Sequence, residues 1–374
     1  VSSKITNRRI DLMLPGNKPL FGVCALLVIV QIAGGSHSDF DVYYTAVAQY
    51  FEGGWQRTYD PTALTPFKYH PFTVWLFAPF RLFPPTIAPA IWAVLNGYFL
   101  YQACRRFQSR FETSNLIPLL AILCVGHAWS WQLKFGNITC LMLWLFALFA
   151  TNNSGWSRAL TAAVLMLLKP FWVVLLPLGL LRKQYSAFGL TLAFVALGSL
   201  SILLVHPEKG LLAYELWQKT LADPTNAHNY PKNDNQCLYA GIYGLNTWGD
   251  QGKFWLWAIL SGLFYVAALA FLPKSRRTHT FLALAILPPM LVAGPLTWIH
   301  HQILLIPVFM LLLAERKYWV VVLAALLLTG TGEIFVGREL FVELHQLRVP
   351  VLGYLVLMFG LWMNSGTEHA ADRA

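Results

Sequence analysis

Leu20-Phe21-Gly22-Val23-Cys24-Ala25-Leu26-Leu27-Val28-Ile29-Val30-Gln31-Ile32-Ala33, followed a few residues on by Ser38-Asp39-Phe40-Asp41-Val42-Tyr43-Tyr44, is the stretch on which the fold turns. An apolar run leads into two carboxylates two residues apart. If the run crosses a membrane, the acids sit where the chain re-emerges into water. An acid at that depth is costly unless it is solvated or paired, which makes it a functional-site candidate. A solvated interfacial loop is the plain alternative, and the rest of the chain decides between them.

With 374 residues, 57% hydrophobic, 15% aromatic and only 12% charged, the composition is that of a polytopic membrane protein and excludes an ordinary soluble domain. The net charge of +10 falls in short basic clusters between apolar runs, the pattern of cytoplasmic loops. Membrane lipids are therefore expected around the chain, and nucleic acid is not an expected partner. The five cysteines show neither metal-ligand spacing nor paired loop positions, so no disulfide framework is expected. Lys4, Arg8, Arg9 and Lys18 ahead of the apolar run look like a signal peptide, but no small-x-small cleavage site follows. The run is read as a retained first span.

Clusters at Lys4/Arg8/Arg9/Lys18, Arg105/Arg106/Arg110, Arg158, Arg182/Lys183, Lys274/Arg276/Arg277 and Arg316/Lys317 mark one side of the membrane, the cytoplasm. Drawing spans between them gives an all-α chain with roughly ten to twelve transmembrane segments, forming one domain over residues 1–374. Residues 34–85 form an external loop in which Pro71 to Phe83 is an interfacial or re-entrant helix, and residues 207–252 form a second long external loop. Ile87 to Cys104 is the second span, Asn115 to Leu133 the third, and Lys134 to Asn137 an external turn. Ala159 to Leu181 has basic residues at both ends. It is read as two half-helices meeting at Lys169-Pro170, the kind of broken element that lines a protein cavity. Phe281 to Ala293 and Gln302 to Leu313 are later spans.

This topology sorts the unusual polar groups to the external side: Asp39 and Asp41, Tyr69-His70-Pro71, Lys134 to Asn137, Lys169, Asn233 to Gln236, and Gly294 to His301. Structural alternatives stand beside each. Asp41 could pair with Arg57, Lys169 could snorkel to the interface, and the paired histidines could satisfy carbonyls exposed by Pro295. Taken together, the groups suit a particular chemistry. An acid beside a cavity can take a proton from an attacking hydroxyl, while a lysine and imidazoles can neutralise a departing phosphate. A Gly-rich cradle for a nucleotide-sugar donor is missing. No cofactor is expected and no dedicated metal cage, although a divalent ion bridged by a donor phosphate stays compatible with the pattern.

Asp39-Phe40-Asp41-Val42-Tyr43-Tyr44, then Gly53-Gly54, Tyr59-Asp60 and Tyr69-His70-Pro71, resembles the first external loop of glycosyltransferase family 87, integral-membrane enzymes of the GT-C fold. Gly136-Asn137 resembles that family's "GQxN" turn, with Asn137 for glutamine and Thr139 for asparagine. Lys169-Pro170 matches its mid-chain lysine motif, and Asn235-Gln236-Cys237-Leu238 its "NQSL" loop with cysteine for serine. Gly294-Pro295-Leu296-Thr297-Trp298-Ile299-His300-His301 resembles its "SPxSWxHH" segment.

The resemblance implies transfer of a hexose, most simply mannose, from a polyprenyl-phosphate carrier to a hydroxyl of a lipid or glycan acceptor, with inversion. The site would face the periplasm or exterior of a bacterial inner membrane. Carried over by position, the base is Asp39, with Asp41 as the alternative and with His300 and His301 lining the same cavity. Tyr43, Tyr69, His70, Asn137, Lys169, Asn235, Gln236 and Trp298 are expected to contact substrate. A flippase for a polyprenyl-linked sugar would also use a broken helix and a polar cavity. An O-antigen-type polymerase should carry arginine-rich external loops, whereas these loops hold chiefly Arg57, Arg338 and Arg348.

Overall fold

The computed structural model describes residues 18–52, 54–60, 67–205, 207–222, 237–238, 242, 250–294 and 297–363. Among the described residues every regular element is a helix. The chain opens with α1 (Lys18–Gly34), α2 (Ser38–Phe51), α3 (Trp55–Thr58), α4 (Thr73–Phe77) and α5 (Ala88–Phe111). It continues through α6 (Leu116–Cys124), α7 (Gly126–Phe135), α8 (Thr139–Thr151), α9 (Gly155–Leu168), α10 (Leu176–Leu181), α11 (Tyr185–Val205) and α12 (Pro207–Ala222). After the second long loop come α13 (Asp250–Ala270), α14 (His279–Ala285), α15 (Leu287–Ala293), α16 (Ile306–Ala314), α17 (Tyr318–Leu328), α18 (Glu333–Val336), α19 (Arg338–Gln346) and α20 (Val349–Trp362).

Burial separates central from peripheral helices. α8 and α16 are apolar and buried on nearly every side, so they form the middle of the bundle. α11 and α13 are as apolar but only 11% buried, and they show Leu197, Leu204, Ile259 and Val266 on their outer faces. Long helices with apolar residues on open faces fit lipid as the surrounding solvent, because all of their backbone bonds are satisfied internally. These two are long and apolar enough to cross a membrane unaided. Three bent pairs (α1–α2, α6–α7 and α19–α20) qualify together, and six shorter apolar helices of 10–17 residues complete the set.

Several spans are more broken than the sequence reading has them. Asn115 to Leu133 is two helices, α6 and α7, bent by 78°. Thr329, the C-cap of α17, inserts its hydroxyl at that break and donates to the freed Cys124 carbonyl at 2.7 Å. Phe281 to Ala293 begins at His279 and is interrupted at Ile286, ahead of Pro288 and Pro289. Pro71 to Phe83 is α4 followed by a short 3₁₀ turn (Ala78–Leu82), with Val74, Phe77 and Phe80 buried beneath α2. Much of the first external loop is therefore the helix α2, set at 72° to α1.

The half-helix pair is present. Proline disfavours the α region for the residue before it, and Lys169 is extended, with φ −143° and ψ 117°, between α9 and the 3₁₀ turn Pro170–Leu175. The chain reverses there, and the Arg158 guanidinium at the start of α9 donates to the Gln184 side chain beyond α10 at 3.1 Å. Both ends of the pair thus return to the basic end of the bundle, where Arg110 donates to Thr280 and Arg182 to the Arg277 carbonyl.

Two glycines set the opposite end. At Gly35, in the corner between α1 and α2, a Cβ would lie 2.6 Å from the Gln31 carbonyl oxygen and 2.8 Å from that of Leu133. The corner can therefore press directly on the end of α7. Gly136 caps α7 at φ +67°, a conformation that L side chains rarely adopt, and its amide closes on Gln132 at 2.9 Å. His37 then donates its amide to Lys134 at 3.0 Å, which locks the α1–α2 corner onto the Lys134–Asn137 turn.

Candidate active site

Asp39 lies in the first turn of α2, next to the turn that the Gly136 cap creates. Asn137 Nδ2 donates to Asp39 Oδ2 at 2.7 Å. The amide is itself held: Thr139 donates to its Oδ1 at 2.9 Å, and Gln132 donates to the Asn137 carbonyl at 2.7 Å. Burial pushes the Asp39 carboxyl above the ordinary carboxylate range, and the Asn137 bond and the Lys169 charge oppose that rise. Phe40, the next residue, anchors the helix by packing on Phe77, Phe80 and Trp92.

The junction at Lys169 brings its ammonium to the same place. Nζ stands 4.9 Å from the centre of the Tyr69 ring and 3.4 Å from His301 Nε2. The charge of nearby Asp39 favours the ammonium form of the lysine. Tyr69 shares a 2.7 Å hydroxyl–hydroxyl bond with Tyr43 of α2, which adds both phenols to the cluster.

Ile299–Leu305, a 3₁₀ turn, supplies the histidines, which are both buried. His301 Nδ1 accepts the Trp298 amide at 3.1 Å, so the proton of the neutral ring sits on Nε2, facing Lys169. An ammonium and an N–H standing side by side are two donors that share no acceptor. The neighbouring His300 ring, 4.5 Å away, has neither nitrogen bonded to protein. Buried polar atoms are normally paired, so this corner is arranged for a ligand rich in acceptors.

The structure thus brings together Asp39, Tyr43, Tyr69, Asn137, Lys169, His300 and His301, with Trp298 contributing its backbone amide. It does not bring Asp41, which is exposed on the other side of α2. There burial raises the carboxyl and only the His37 charge opposes it. His70 also points away. Its Nδ1 accepts the Phe72 amide, Nε2 meets Ser199 at 3.3 Å, and the ring packs on Tyr214 and Trp217. His70 therefore ties this segment to α11 and α12, and burial lowers its imidazole to about 4. Asn235 and Gln236 lie outside the described residues. Thr139, read from sequence only as a position of the turn motif, supports the site, while Gln132 is a supporting residue missing from the sequence reading, and so is Gln31, buried with its amide nitrogen 3.3 Å from the position a Cβ on Gly136 would take. A glutamine inside an apolar run was the available signal. Among the described residues no three His, Cys, Asp or Glu side chains converge to hold a metal ion.

A lipid-embedded helical bundle with a half-buried acid and lysine beside a buried histidine pair at one end has the build of a membrane group-transfer enzyme. The chain belongs to glycosyltransferase family 87, whose profile matches residues 67–295. It is a membrane glycosyltransferase, and this sets aside the flippase and polymerase readings. The match includes Tyr69, Asn137 and Lys169 and leaves Asp39, His300 and His301 outside, so their place in the site rests on the contacts above.

Three relatives are informative. A polyprenol-phosphate-mannose-dependent alpha-(1-2)-phosphatidylinositol mannoside mannosyltransferase of Mycobacterium tuberculosis is 26% identical over 72% of this chain and 68% of its own. A pentamannoside mannosyltransferase from another strain of that species is 25% identical over 75% and 67%. An alpha-(1->3)-arabinofuranosyltransferase of Corynebacterium glutamicum is 23% identical over 79% and 73%. No solved structure matches the chain.

Proposed function

We propose that this glycosyltransferase moves a hexose, mannose in the first instance, from a polyprenyl-phosphate donor to a hydroxyl of a lipid or glycan acceptor. Asp39 takes the acceptor proton as the oxygen attacks the anomeric carbon. The bond from that carbon to the phosphate oxygen breaks, and the polyprenyl phosphate leaves with its charge facing Lys169 and the His301 Nε2–H. Direct displacement inverts the anomeric centre. A raised carboxyl suits this role, because a base works best when its pKa approaches the working pH.

One observation carries the reading: the bonded Asp39–Asn137 pair lies within Coulombic reach of Lys169, whose ammonium stands beside an imidazole N–H with no acceptor between them. An acid beside one cation and one neutral N–H donor supports a proton passing to one side and a phosphate to the other. The gathering of basic clusters at the opposite end of the bundle supports a site on the periplasmic or external face of a bacterial inner membrane.

The test is single-turnover transfer by purified protein in vesicles. Synthetic polyprenyl-phosphate mannose and polyprenyl-phosphate arabinofuranose are offered in parallel with total envelope lipid as acceptor. Transfer of mannose with inversion is the expected result. Transfer of arabinofuranose alone would move the donor sugar, and transfer of neither would remove the donor assignment.

A further inference from the structure

The basic end of the bundle, remote from the catalytic cluster, carries more positive charge than protein structure accounts for. Arg158 and Arg182 are close enough to repel each other, and His279 lies in the field of Arg158, Arg182 and Arg110. The guanidiniums spend their donors on neutral groups. Arg158 reaches the Asn152 carbonyl and Gln184, Arg182 the Arg277 carbonyl, and Arg277 the carbonyls of Leu272 and Ala270. Among the described residues no carboxylate pairs with any of these arginines; Glu315, at the same end, is taken by Arg276 and Lys317.

Beside these charges is a narrow surface cleft between α9, α10 and α11. Arg158, Gln184 and His279 line its polar side, and Ala162, Met166, Leu176 and Phe188 its apolar side. His279 is 8% exposed. Its Nε2 donates to the Phe149 carbonyl at 3.0 Å, while its Nδ1 has no partner at all. Trp156, Leu160, Leu181 and Tyr185, within three residues in sequence of the lining residues Arg158, Ala162, Gly179 and Gln184, are exposed. Aromatic residues of this kind mark headgroup depth, so the mouth opens where lipid meets water.

We propose that this cleft is a binding site for an anionic phospholipid. Its phosphate sits among Arg158, Arg182 and Arg277, a headgroup hydroxyl reaches His279 Nδ1, and one acyl chain enters the slot along Ala162 and Met166. Uncompensated cations near the membrane surface attract anionic headgroups, and a headgroup phosphate supplies acceptors in the fork geometry that guanidiniums favour. The apolar slot is what distinguishes a lipid from a free anion.

Native mass spectrometry of delipidated protein titrated with phosphatidylglycerol or phosphatidylcholine tests the site. Wild type should retain one phosphatidylglycerol at concentrations where phosphatidylcholine is lost. Equal retention of the two lipids overturns the proposal without any variant. Each surface arginine contributes about fivefold in affinity, so R158Q combined with R182Q should weaken phosphatidylglycerol by about twenty-fivefold. Ala162→Leu keeps every charge but fills the slot, and should weaken the lipid while leaving R105Q, at the same end but off the cleft, as an unchanged control. If the double variant does not elute as a folded species, Ala162→Leu decides. Variants that bind like wild type would sink the proposal. Displacement of the lipid by millimolar inorganic phosphate would overturn it as well, making the cluster a soluble-anion site.

Discussion

Asn137 donates to Asp39 at 2.7 Å across 98 residues of sequence, and with the His37 amide bond to Lys134 it joins the α1–α2 corner to the turn after α7. Both of its ends are fixed by backbone. Gly136 presents the amide, and the bend at His37 sets Asp39 in the first turn of α2, where a carboxylate faces the positive end of the helix. Asp41, two residues on, is about 200° round the same helix and leaves the cluster.

Asp39→Asn keeps the size of the side chain and removes its ability to accept a proton. General-base assistance is worth about 10²- to 10⁴-fold, so single-turnover transfer should fall by at least that range. Asp41→Asn should cost less than about threefold, on the scale of an exposed substitution. If Asp41→Asn were the dead variant, the base would lie outside the cluster.

Asn137→Ala removes the bond that favours ionised Asp39. Bonds to charged groups contribute about 1.5–3 kcal/mol, so the carboxyl should rise further and activity at neutral pH drop by about tenfold or more. The loss should shrink as pH is raised, because alkali restores the carboxylate. A deficit constant with pH would mean that Asn137 only shapes the turn.

The sequence carried the class and the chemistry further than it carried the geometry. Lys169-Pro170 is readable because proline acts locally on the residue before it, and the helix pair breaks there as expected. The bend at Val125 is not readable, because the group that satisfies its free carbonyl is Thr329, far along the chain. Asp39 and Asp41 look equivalent in sequence and are separated only by the helical twist of α2. The tyrosine before Pro71 enters the cluster and the histidine leaves it, a distinction that depends on where α11 and α12 pack.

At the basic end, Glu315 Oε2 is ion-paired with Arg276 Nη2 at 2.8 Å and with Lys317 Nζ at 2.9 Å, and Lys317 also donates to the Gly360 and Met363 carbonyls at the end of α20. All three side chains are nearly buried. Removing one partner of a buried pair typically costs about 3–5 kcal/mol because the other charge is left uncompensated. Glu315→Ala should therefore lower the thermal unfolding midpoint in detergent markedly, with Glu315→Gln intermediate. Transfer per folded molecule should remain, since the triad lies far from Asp39. An unchanged midpoint would mean that α20 is held by its apolar face alone.

The pH profile of transfer tests the whole cluster at once. Asp39 must be ionised to act, so activity should rise with pH through a limb above the ordinary carboxylate range, where burial places it. Lys169 must be protonated to receive the phosphate, so activity should fall again on the alkaline side as the ammonium gives up its proton. The product is a bell whose two limbs belong to different residues. Lys169→Met should lower the plateau and abolish the alkaline limb while leaving the acidic limb nearly in place. It should slip slightly upward, because the ammonium helps to hold Asp39 ionised. Lys169→Arg keeps a charge that does not titrate in this range and should retain part of the plateau with no alkaline fall. Should Lys169→Met keep a normal rate and an intact bell, the lysine merely packs against Tyr69, and the phosphate is received elsewhere.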